Sequence, residues 1–229
     1  MNVPTHIALI MDGNRRWAKS KGLLSIEGHR RAATTVLPQL IKKAAELGIQ
    51  YLTFWAMSTE NFQKRSKWEL NGLFTLMKVV YRLKIKEIQK NEIKIKIIGN
   101  ISKFPQDIQD LIARVVKETA NNTKGTLIFA LNYGGRDEII RAIDQMQKSK
   151  FKDQSLTEED FAKYLDTAGV PDPDLIIRTG GEKRLSGFLP WQGVYSELYF
   201  TDLYFPDFDE KELMRAIADF QQRKRRYGK

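Results

Sequence analysis

Short apolar runs alternate with longer amphipathic segments along the whole chain. The runs are rich in β-branched residues and predict six strands, at Ile7–Met11, Tyr51–Met57, Ile93–Ile98, Leu127–Asn132, Leu175–Arg178 and Glu197–Phe200. The segments between them predict helices, at about 29–47, 67–90, 106–120, 135–148, 158–167 and 209–225. This alternation predicts an α/β fold with a central parallel sheet that helices cover on both faces.

The same pattern continues from end to end, which favours a single domain over residues 1–229. Neither an internal repeat nor a low-complexity tract or linker interrupts it. The stretches 121–125 and 149–157 lack periodicity, and we expect them to be loops.

The segment 67–90 is apolar over more of its circumference than one buried face requires. Ser66 and Glu69 stand at capping-box spacing, so we expect a helix to begin between them. One apolar face comprises positions 70, 73, 74, 77, 80 and 81. Further apolar residues at 76, 79 and 83 widen this face. Core packing is the ordinary explanation for each of these residues. A helix of this kind can also line an apolar cavity, and we predict such a tunnel here.

Composition removes several classes of chemistry. With no Cys and two His, the chain has no disulfides, no thiolate nucleophile and no multi-His metal site. A hydrophobic fraction of 42% is ample for a globular core. No apolar run approaches the roughly 18 residues that span a bilayer, and residues 1–5 lack the pattern of a signal peptide. We therefore expect a cytoplasmic protein, with peripheral contact at the inner membrane surface left open.

The net charge of +10 indicates a polyanionic partner or surface. Nucleic acid, anionic lipid and phosphorylated small molecules all satisfy that condition, although Lys on solvated helix faces accounts for much of such an excess. No RRM, KH or helix-turn-helix signature accompanies the charge, so we do not expect a nucleic-acid partner.

The first predicted strand ends in a concentrated set of polar residues, Asp12-Gly13-Asn14-Arg15-Arg16-Trp17. In open α/β sheets, ligands bind at the carboxyl ends of the strands. The guanidiniums of Arg15 and Arg16 suit phosphate oxygens, and Asp12 could hold Mg2+ against those oxygens. The alternative is an ordinary tight turn with a helix cap, since Asp, Gly and Asn are common turn residues.

Further polar segments adjoin other predicted strands, at 58–65, 132–136, 178–186 and Glu197. We expect the same edge of the sheet to display them all. A diphosphate monoester carries on the order of three negative charges, by analogy with phosphate pKa values near six. Arg16, Arg178 and Arg184, with Lys64 or Arg65 and one Mg2+, could neutralise about two such groups. Together with the apolar helix, this indicates an amphiphilic substrate with a charged head and a hydrocarbon tail.

With these features the chain resembles the cis-prenyltransferase family, and most closely its bacterial undecaprenyl diphosphate synthases. The matching segments occur in the family's order, at 6–14, 28–29, 58–61, 132–136, 178–186 and 195–200. The resemblance implies a homodimer with a sheet of about six strands. It also implies an Mg2+-dependent reaction in which isopentenyl diphosphate units extend an allylic diphosphate, typically farnesyl diphosphate, through cis double bonds. An undecaprenyl product for the cell-wall lipid carrier would follow.

The resemblance also implies roles for individual residues. Asp12 would ligate Mg2+ and assist departure of the allylic diphosphate, and Asn61 would help to remove the C2 proton of isopentenyl diphosphate. A group around the allylic diphosphate would comprise Gly13, Asn14, Arg15, Arg16, Trp17, Ser25 and His29. One loop would contribute Ser58, Thr59, Glu60, Phe62 and Lys64. The isopentenyl diphosphate clamp would comprise Arg178, Arg184, Leu185 and Ser186. Glu197 would reach from the partner subunit as a second Mg2+ ligand.

The chain departs from the family pattern at three places. Phe62 stands where Trp is common, and Ser25 stands where an Arg often grips the allylic diphosphate. Lys64-Arg65 replaces a common Arg-Pro, so either cation could take the role of that Arg.

Other functions stay open on the sequence alone. A phosphatase with Asp12 as nucleophile lacks its usual second Asp, since Asn14 stands there. A non-catalytic partner subunit would lose Asp12 or the 178–186 segment, and both are present. A synthase of shorter chains is the closest alternative, because product length depends on tunnel volume.

Overall fold

A computed structural model describes residues 3–149 and 155–223, in which six strands form one sheet. The strands are β1 (His6–Ile10), β2 (Tyr51–Ser58), β3 (Ile93–Ile98), β4 (Gly125–Tyr133), β5 (Leu175–Arg178) and β6 (Glu197–Phe200). Their order is β3-β4-β2-β1-β5-β6, and every neighbouring pair is parallel. The predicted fold class, an α/β fold around a central parallel sheet, is confirmed.

Helices occupy most of the segments between the strands. They are α1 (Asn14–Ser20), α2 (Ser25–Arg31), α3 (Leu37–Glu46), α4 (Thr59–Lys64), α5 (Lys67–Lys90), α6 (Gln106–Glu118), α7 (Gly135–Lys148), α8 (Glu158–Ala162) and α9 (Glu210–Gln222). A π-helical stretch, Ala32–Val36, joins α2 to α3, and a 3-10 turn, Phe205–Asp207, follows β6. None of the helices in the described residues is long and apolar enough to cross a membrane.

Most predicted elements are confirmed, with differences where local signals are short. The helix predicted at 29–47 begins earlier, at Ser25, and contains the π-helical stretch. The helix predicted at 158–167 ends at Ala162. Helices α1 and α4 were not predicted, because segments of seven and six residues show too few turns for a periodic pattern. Residues 150–154 and 224–225 of predicted segments lie outside the described residues.

The two faces of the sheet bury alternate residues of each strand. On β1, Ile7 and Leu9 belong to one cluster of buried side chains, and Ala8 and Ile10 belong to another. The edge strand β3 instead places Lys94 and Lys96 between its apolar residues, as expected for a strand that must not pair with another chain.

The strand register places the site residues along the sheet. Ile10 pairs with Arg178 on one side and Trp55 on the other, while Ser58 of β2 pairs with Tyr133 of β4. The segments at 12–17, 58–65, 132–136 and 178–186 therefore meet at the carboxyl edge, as predicted. Glu197 pairs with Leu175 at the first residue of both strands. Its expected position on the carboxyl edge is wrong, because it opens β6 and so lies at the amino edge.

Candidate active site

The turn after β1 holds the Asp12 carboxylate in a fixed position. Gly13 has φ +97°, and a Cβ there would lie 2.6 Å from Cδ1 of Tyr204, so only glycine fits. The Gly13 N–H donates to Oδ1 of Asp12 at 2.6 Å, and Arg16 donates to the same oxygen at 3.1 Å. The backbone N–H of Gly13 is thus engaged by the carboxylate, and the turn presents Asp12 together with a cation.

Arg178 links this turn to the segment after β5. Its side chain is 6% exposed and donates to Oδ2 of Asp12 at 2.9 Å. The other terminal nitrogen donates to Oγ of Ser186 at 2.8 Å and to the backbone carbonyl of Arg184. Gly180 lets the segment after β5 pack closely on the turn after β1, because a Cβ at this position would lie 2.6 Å from a guanidinium nitrogen of Arg16. Both oxygens of Asp12 therefore accept charge-assisted hydrogen bonds.

A cleft of about 360 Å³ opens beside Asp12. Its lining carries three guanidiniums, one carboxylate, an imidazole and two amides, from Asp12, Gly13, Asn14, Arg15, Arg16, His29, Asn61 and Arg65. An excess of positive charge in a partly enclosed space suits a multiply charged anion. The sequence predicted all of these residues here except Arg65, which it left as an alternative to Lys64.

His29 is held against α1 by close backbone packing. A Cβ on the neighbouring Gly28 would lie 2.0 Å from the backbone oxygen of Asn14, so glycine brings α2 onto α1. Burial and, to a smaller extent, the charges of Arg65 and Arg15 together lower the pKa of His29 to about 4. The imidazole is therefore neutral at pH 7, so one of its ring nitrogens donates a hydrogen bond and the other accepts one.

The start of α4 presents Asn61 to the cleft. The Oγ of Ser58 accepts a hydrogen bond from the Asn61 N–H at 3.1 Å and so caps the helix. Thr59 donates from its hydroxyl to the backbone oxygen of Asn132 at 3.4 Å, which fixes α4 on β4. Ser58 and Thr59 therefore support the site, and Asn61 is the residue of this group that lines the cleft.

Several residues predicted for the substrate site lie around the cleft rather than in its lining. Trp17 donates from its indole to Asp207 at 2.8 Å, and the Arg31 guanidinium lies over its ring. Phe62 packs on Phe104 at 5.3 Å between ring centroids. Among the described residues, those predicted for the substrate site that do not line the cleft are Trp17, Ser25, Ser58, Thr59, Glu60, Phe62, Lys64, Arg178, Arg184, Leu185 and Ser186.

The predicted isopentenyl diphosphate clamp is partly assembled. Arg178 and Ser186 are hydrogen-bonded to one another beside Asp12. The guanidinium of Arg184 is instead 61% exposed and paired with Glu182, while Leu185 packs against the buried cluster around Ile10. The segment therefore offers one buried cation and one exposed cation to a ligand.

Glu197 lies apart from Asp12 within one chain. Its carboxylate accepts a hydrogen bond from Arg223 at 2.8 Å. Because β6 is one of the two edge strands of the sheet, Glu197 stands on a strand that a second subunit could approach. Its expected role across a subunit boundary stays a prediction.

Tyr204 is a site residue that the sequence did not indicate. It lies under the Gly13 turn, and the Arg16 guanidinium stands 5.2 Å from its ring centroid. A cation over an aromatic face is stabilised by the ring's quadrupole. It lies four residues after the matching segment 195–200, and the path of the chain after β6 brings it here.

A second, larger cavity of about 1,030 Å³ lies between the sheet, α3, α5 and α6. Its apolar lining includes Leu37 and Ile41 of α3, Leu73, Leu76, Met77, Val80, Ile85 and Ile88 of α5, Val115 of α6 and Phe129 of β4. Asn14 and His29 line both this cavity and the charged cleft. The tunnel predicted along α5 is therefore present and adjoins the anion site.

The predicted widening of the apolar face of α5 is correct only in part. Leu76 lines the cavity, whereas Val79 and Leu83 are 42% and 64% exposed. Phe74 is buried against Phe104 instead. The helix thus has a cavity face, a core face and three large apolar residues at the surface, Trp68, Val79 and Leu83.

The donor set beside Asp12 fits a magnesium ion that is shared with a bound anion. Mg2+ is usually held by one or two carboxylates together with substrate phosphates. Asp12 supplies one carboxylate that is partly open to the cleft. In residues 3–149 and 155–223, no group of three or more His, Asp or Glu side chains could hold a metal alone. A metal here would therefore depend on ligand oxygens.

Known proteins share both the sequence and the fold. A prenyltransferase family model, described as undecaprenyl diphosphate synthase, matches residues 10–228. The chain is 46% identical to an isoprenyl transferase of Chlamydia muridarum, over 99% of this chain and 92% of the relative. It is 44% identical to an isoprenyl transferase of Thermotoga maritima, over 100% and 98% of the two chains.

Two solved structures are similar over their full lengths. Lavandulyl diphosphate synthase from Lavandula x intermedia, in complex with dimethylallyl diphosphate, has a TM-score of 0.93 at 36% identity, with 99% of each chain covered. A probable undecaprenyl diphosphate synthase from Campylobacter jejuni has a TM-score of 0.83 at 32% identity, with 100% of each chain covered.

Proposed function

The chain belongs to the undecaprenyl diphosphate synthase family of prenyl transferases, and we propose that it extends an allylic diphosphate with isopentenyl diphosphate units through cis double bonds. The observation that carries this proposal is the union of a charged cleft with an apolar cavity at Asn14 and His29. A prenyl diphosphate has the same two parts, a multiply charged head and a hydrocarbon tail. Farnesyl diphosphate is the starter that we propose.

A long product, undecaprenyl diphosphate, suits the size of the cavity. Its volume of about 1,030 Å³ stands at the upper end of the roughly 300–1,000 Å³ of small-molecule pockets. The wall from Leu73 to Ile88 runs about 22 Å along α5, at about 1.5 Å per residue. Each added isoprene unit brings further apolar surface out of water, so extension is favourable until the cavity is full.

A shorter product is the second candidate. It is favoured by the similarity to lavandulyl diphosphate synthase, whose crystal structure contains a five-carbon allylic diphosphate. The distinction depends on how far the cavity accepts a growing chain, which product analysis measures directly.

The residues of the cleft would bind the allylic diphosphate and stabilise its departure. Arg15 and Arg16 line the cleft together with Asp12, and their charges would stabilise the negative charge that grows on the diphosphate as the bond from C1 to oxygen breaks. Preorganised cations in a partly desolvated site stabilise such charge more than water does. Mg2+ held at Asp12 would supply Lewis acidity to the leaving diphosphate.

Arg178 and Ser186 would hold isopentenyl diphosphate beside the allylic group, with Arg184 at the outer side. The reaction joins C1 of the allylic substrate to C4 of isopentenyl diphosphate, releases pyrophosphate and removes one proton from C2. Asn61 lines the cleft and would orient that carbon, because a neutral amide is too weak a base to take the proton at pH 7.

A homodimer would place Glu197 of one subunit near the site of the other as the second Mg2+ ligand. The position of Glu197 on an edge strand, β6, supports this arrangement. We also propose a cytoplasmic location with peripheral membrane contact at product release, because a long polyprenyl chain is insoluble in water and needs an apolar acceptor.

The direct test is incorporation of labelled isopentenyl diphosphate into a solvent-extractable product with farnesyl diphosphate as starter. We expect incorporation in Mg2+ and its loss on chelation with EDTA, restored by added Mg2+. No incorporation with any allylic starter from five to twenty carbons would contradict the proposal.

A further inference from the structure

The segment between α4 and α5 offers two adjacent cations in different surroundings. Lys64 is the last residue of α4, and Arg65 follows it in an extended conformation, with φ −73° and ψ 144°. The Arg65 N–H donates to the backbone oxygen of Asn61 at 3.0 Å, and Ser66 then caps α5. The change from helical to extended backbone at this point sends the two side chains in different directions.

Only the second of these cations faces the cleft. Lys64 is exposed at the surface, whereas Arg65 lines the cleft beside Asn61 and His29. The terminal nitrogen Nη1 of Arg65 is buried and has no hydrogen-bond partner among the described residues. A buried guanidinium N–H without an acceptor is unfavourable, and a ligand oxygen in the cleft would satisfy it.

The charges around Arg65 also favour the binding of an anion. Burial lowers the pKa of Arg65, but the guanidinium stays charged at neutral pH. Arg15 is close enough to repel it, and Glu69, which lies 3.6 Å from Arg15, is the carboxylate that favours its charge. Two guanidiniums that share one partly exposed carboxylate are short of negative charge, which a bound diphosphate would supply.

We propose that Arg65, and not Lys64, is the residue of this segment that binds the diphosphate of the allylic substrate. The proposal rests on the proposed function for the identity of the substrate. The bond from the Arg65 N–H to the backbone oxygen of Asn61 closes α4, and it leaves the guanidinium of Arg65 in the lining of the cleft.

The test compares Arg65→Gln with Lys64→Gln, which removes the same charge one residue away. The first measurement is the affinity for inorganic pyrophosphate by titration calorimetry, which needs no turnover. We expect Arg65→Gln to weaken binding at least tenfold and Lys64→Gln to change it less than twofold. Arg65→Lys, which keeps the charge without the fork geometry, should lie between them.

The second measurement is the KM for farnesyl diphosphate and for isopentenyl diphosphate. We expect Arg65→Gln to raise the first at least tenfold and the second less than threefold, with Lys64→Gln near the wild type for both. Equal effects of the two Gln variants, or a larger effect of Lys64→Gln, would overturn the proposal. If the affinities of the variants for pyrophosphate fell in the expected order but the wild type transferred no prenyl group, the proposed function would fail and the contact of Arg65 with the anion would stand.

A third measurement separates a direct contact from a structural role. His29 and His6 are the two histidines of the chain, so their imidazole signals in NMR are resolved by one substitution. Because the Arg65 charge lowers the pKa of His29, Arg65→Gln should raise that pKa and Lys64→Gln should not. An unchanged pKa of His29 in a folded Arg65→Gln variant would place Arg65 away from the cleft and overturn the proposal.

Discussion

The charged cleft and the apolar cavity adjoin at Asn14 and His29, and they are built in opposite ways. The cleft is assembled from turns at strand ends, where the hydrogen bonds of Asp12 and Arg178 fix individual atoms. The cavity is walled by faces of helices and strands, whose side chains share only their apolar character. A change in the cleft should therefore alter chemistry, whereas a change in the cavity wall should alter volume.

Removal of the Asp12 carboxylate should have the largest effect. We expect Asp12→Ala to lower kcat/KM on the order of a thousandfold or more, because a metal ligand at the leaving group is lost. Asp12→Asn keeps much of the shape without the charge and serves as the control; we expect it to lose activity to a similar extent. Near-normal rates for either folded variant in Mg2+ would mean that Asp12 holds no metal.

Acid should destabilise the protein through its two histidines, His6 buried in the sheet and His29 partly buried where the cleft and the cavity adjoin. His6, 2% exposed in the sheet, has its pKa lowered from 6.5 to about 4 by burial. A base with a lowered folded-state pKa stabilises the fold fully above pH 6.5 and loses that contribution as the pH falls toward 4. Each pH unit between the two pKa values corresponds to about 1.4 kcal/mol, so neutral His6 contributes about 3 kcal/mol to the free energy of unfolding above pH 6.5.

Urea unfolding between pH 7 and pH 4 measures this loss. The variant His6→Asn should have a flatter pH dependence. It should also be less stable than the wild type at pH 7, because it loses the hydrogen bonds of His6 with the Thr53 hydroxyl and the Pro171 carbonyl. A wild-type free energy of unfolding that is constant from pH 7 to 4.5 would contradict the burial of the two imidazoles.

Substitutions in the clamp should separate the two diphosphates. We expect Arg178→Ala to raise the KM for isopentenyl diphosphate by roughly ten- to a hundredfold, as for a lost charge-assisted bond of about 1.5–3 kcal/mol. Arg184→Ala should do so less, since its guanidinium is exposed and paired with Glu182. Equal changes in the KM of both substrates would argue against two separate anion sites.

Truncation of the cavity wall should have the smallest effect on stability. Met77 faces an existing cavity and has few contacts to lose on that side, so we expect Met77→Ala to cost less than about 1.5 kcal/mol. Ile128→Ala, at a fully buried position of β4, should cost about 2–5 kcal/mol. Similar costs in denaturant titrations would show that α5 is ordinary core at Met77.

The sequence predicted the cleft more fully than its surroundings. Asp12, Arg16 and His29 follow from the turn after β1 and from the resemblance, because short-range turns carry their own signals. The choice between Lys64 and Arg65 depends on where α4 ends, and a helix of six residues leaves no periodic pattern. Tyr204 reaches the site through the short irregular segment after β6, whose path no local signal encodes.

The cavity was predictable as a feature but not in its details. The capping box at Ser66 predicted the start of α5, and its apolar excess predicted a helix that lines a cavity; both are confirmed, although the second apolar stripe is only partly buried. Which residues face the cavity depends on how α5 packs against α3 and α6, so Val79 and Leu83 were misplaced. Glu197 was misplaced because it opens β6, and the first residue of a parallel strand lies at the edge opposite the site.

The most direct test of the account is the length of the product, because the central claim is that the cavity receives the tail of a substrate whose head lies in the cleft. Farnesyl diphosphate and excess isopentenyl diphosphate would be incubated with the wild type and with Met77→Trp, and the products read by mass spectrometry. The account predicts a long product for the wild type and a shorter one for Met77→Trp, with the rate of the first condensation changed less than about threefold. The same product length from both folded enzymes, with Leu73→Trp and Val80→Trp also unchanged, would contradict it.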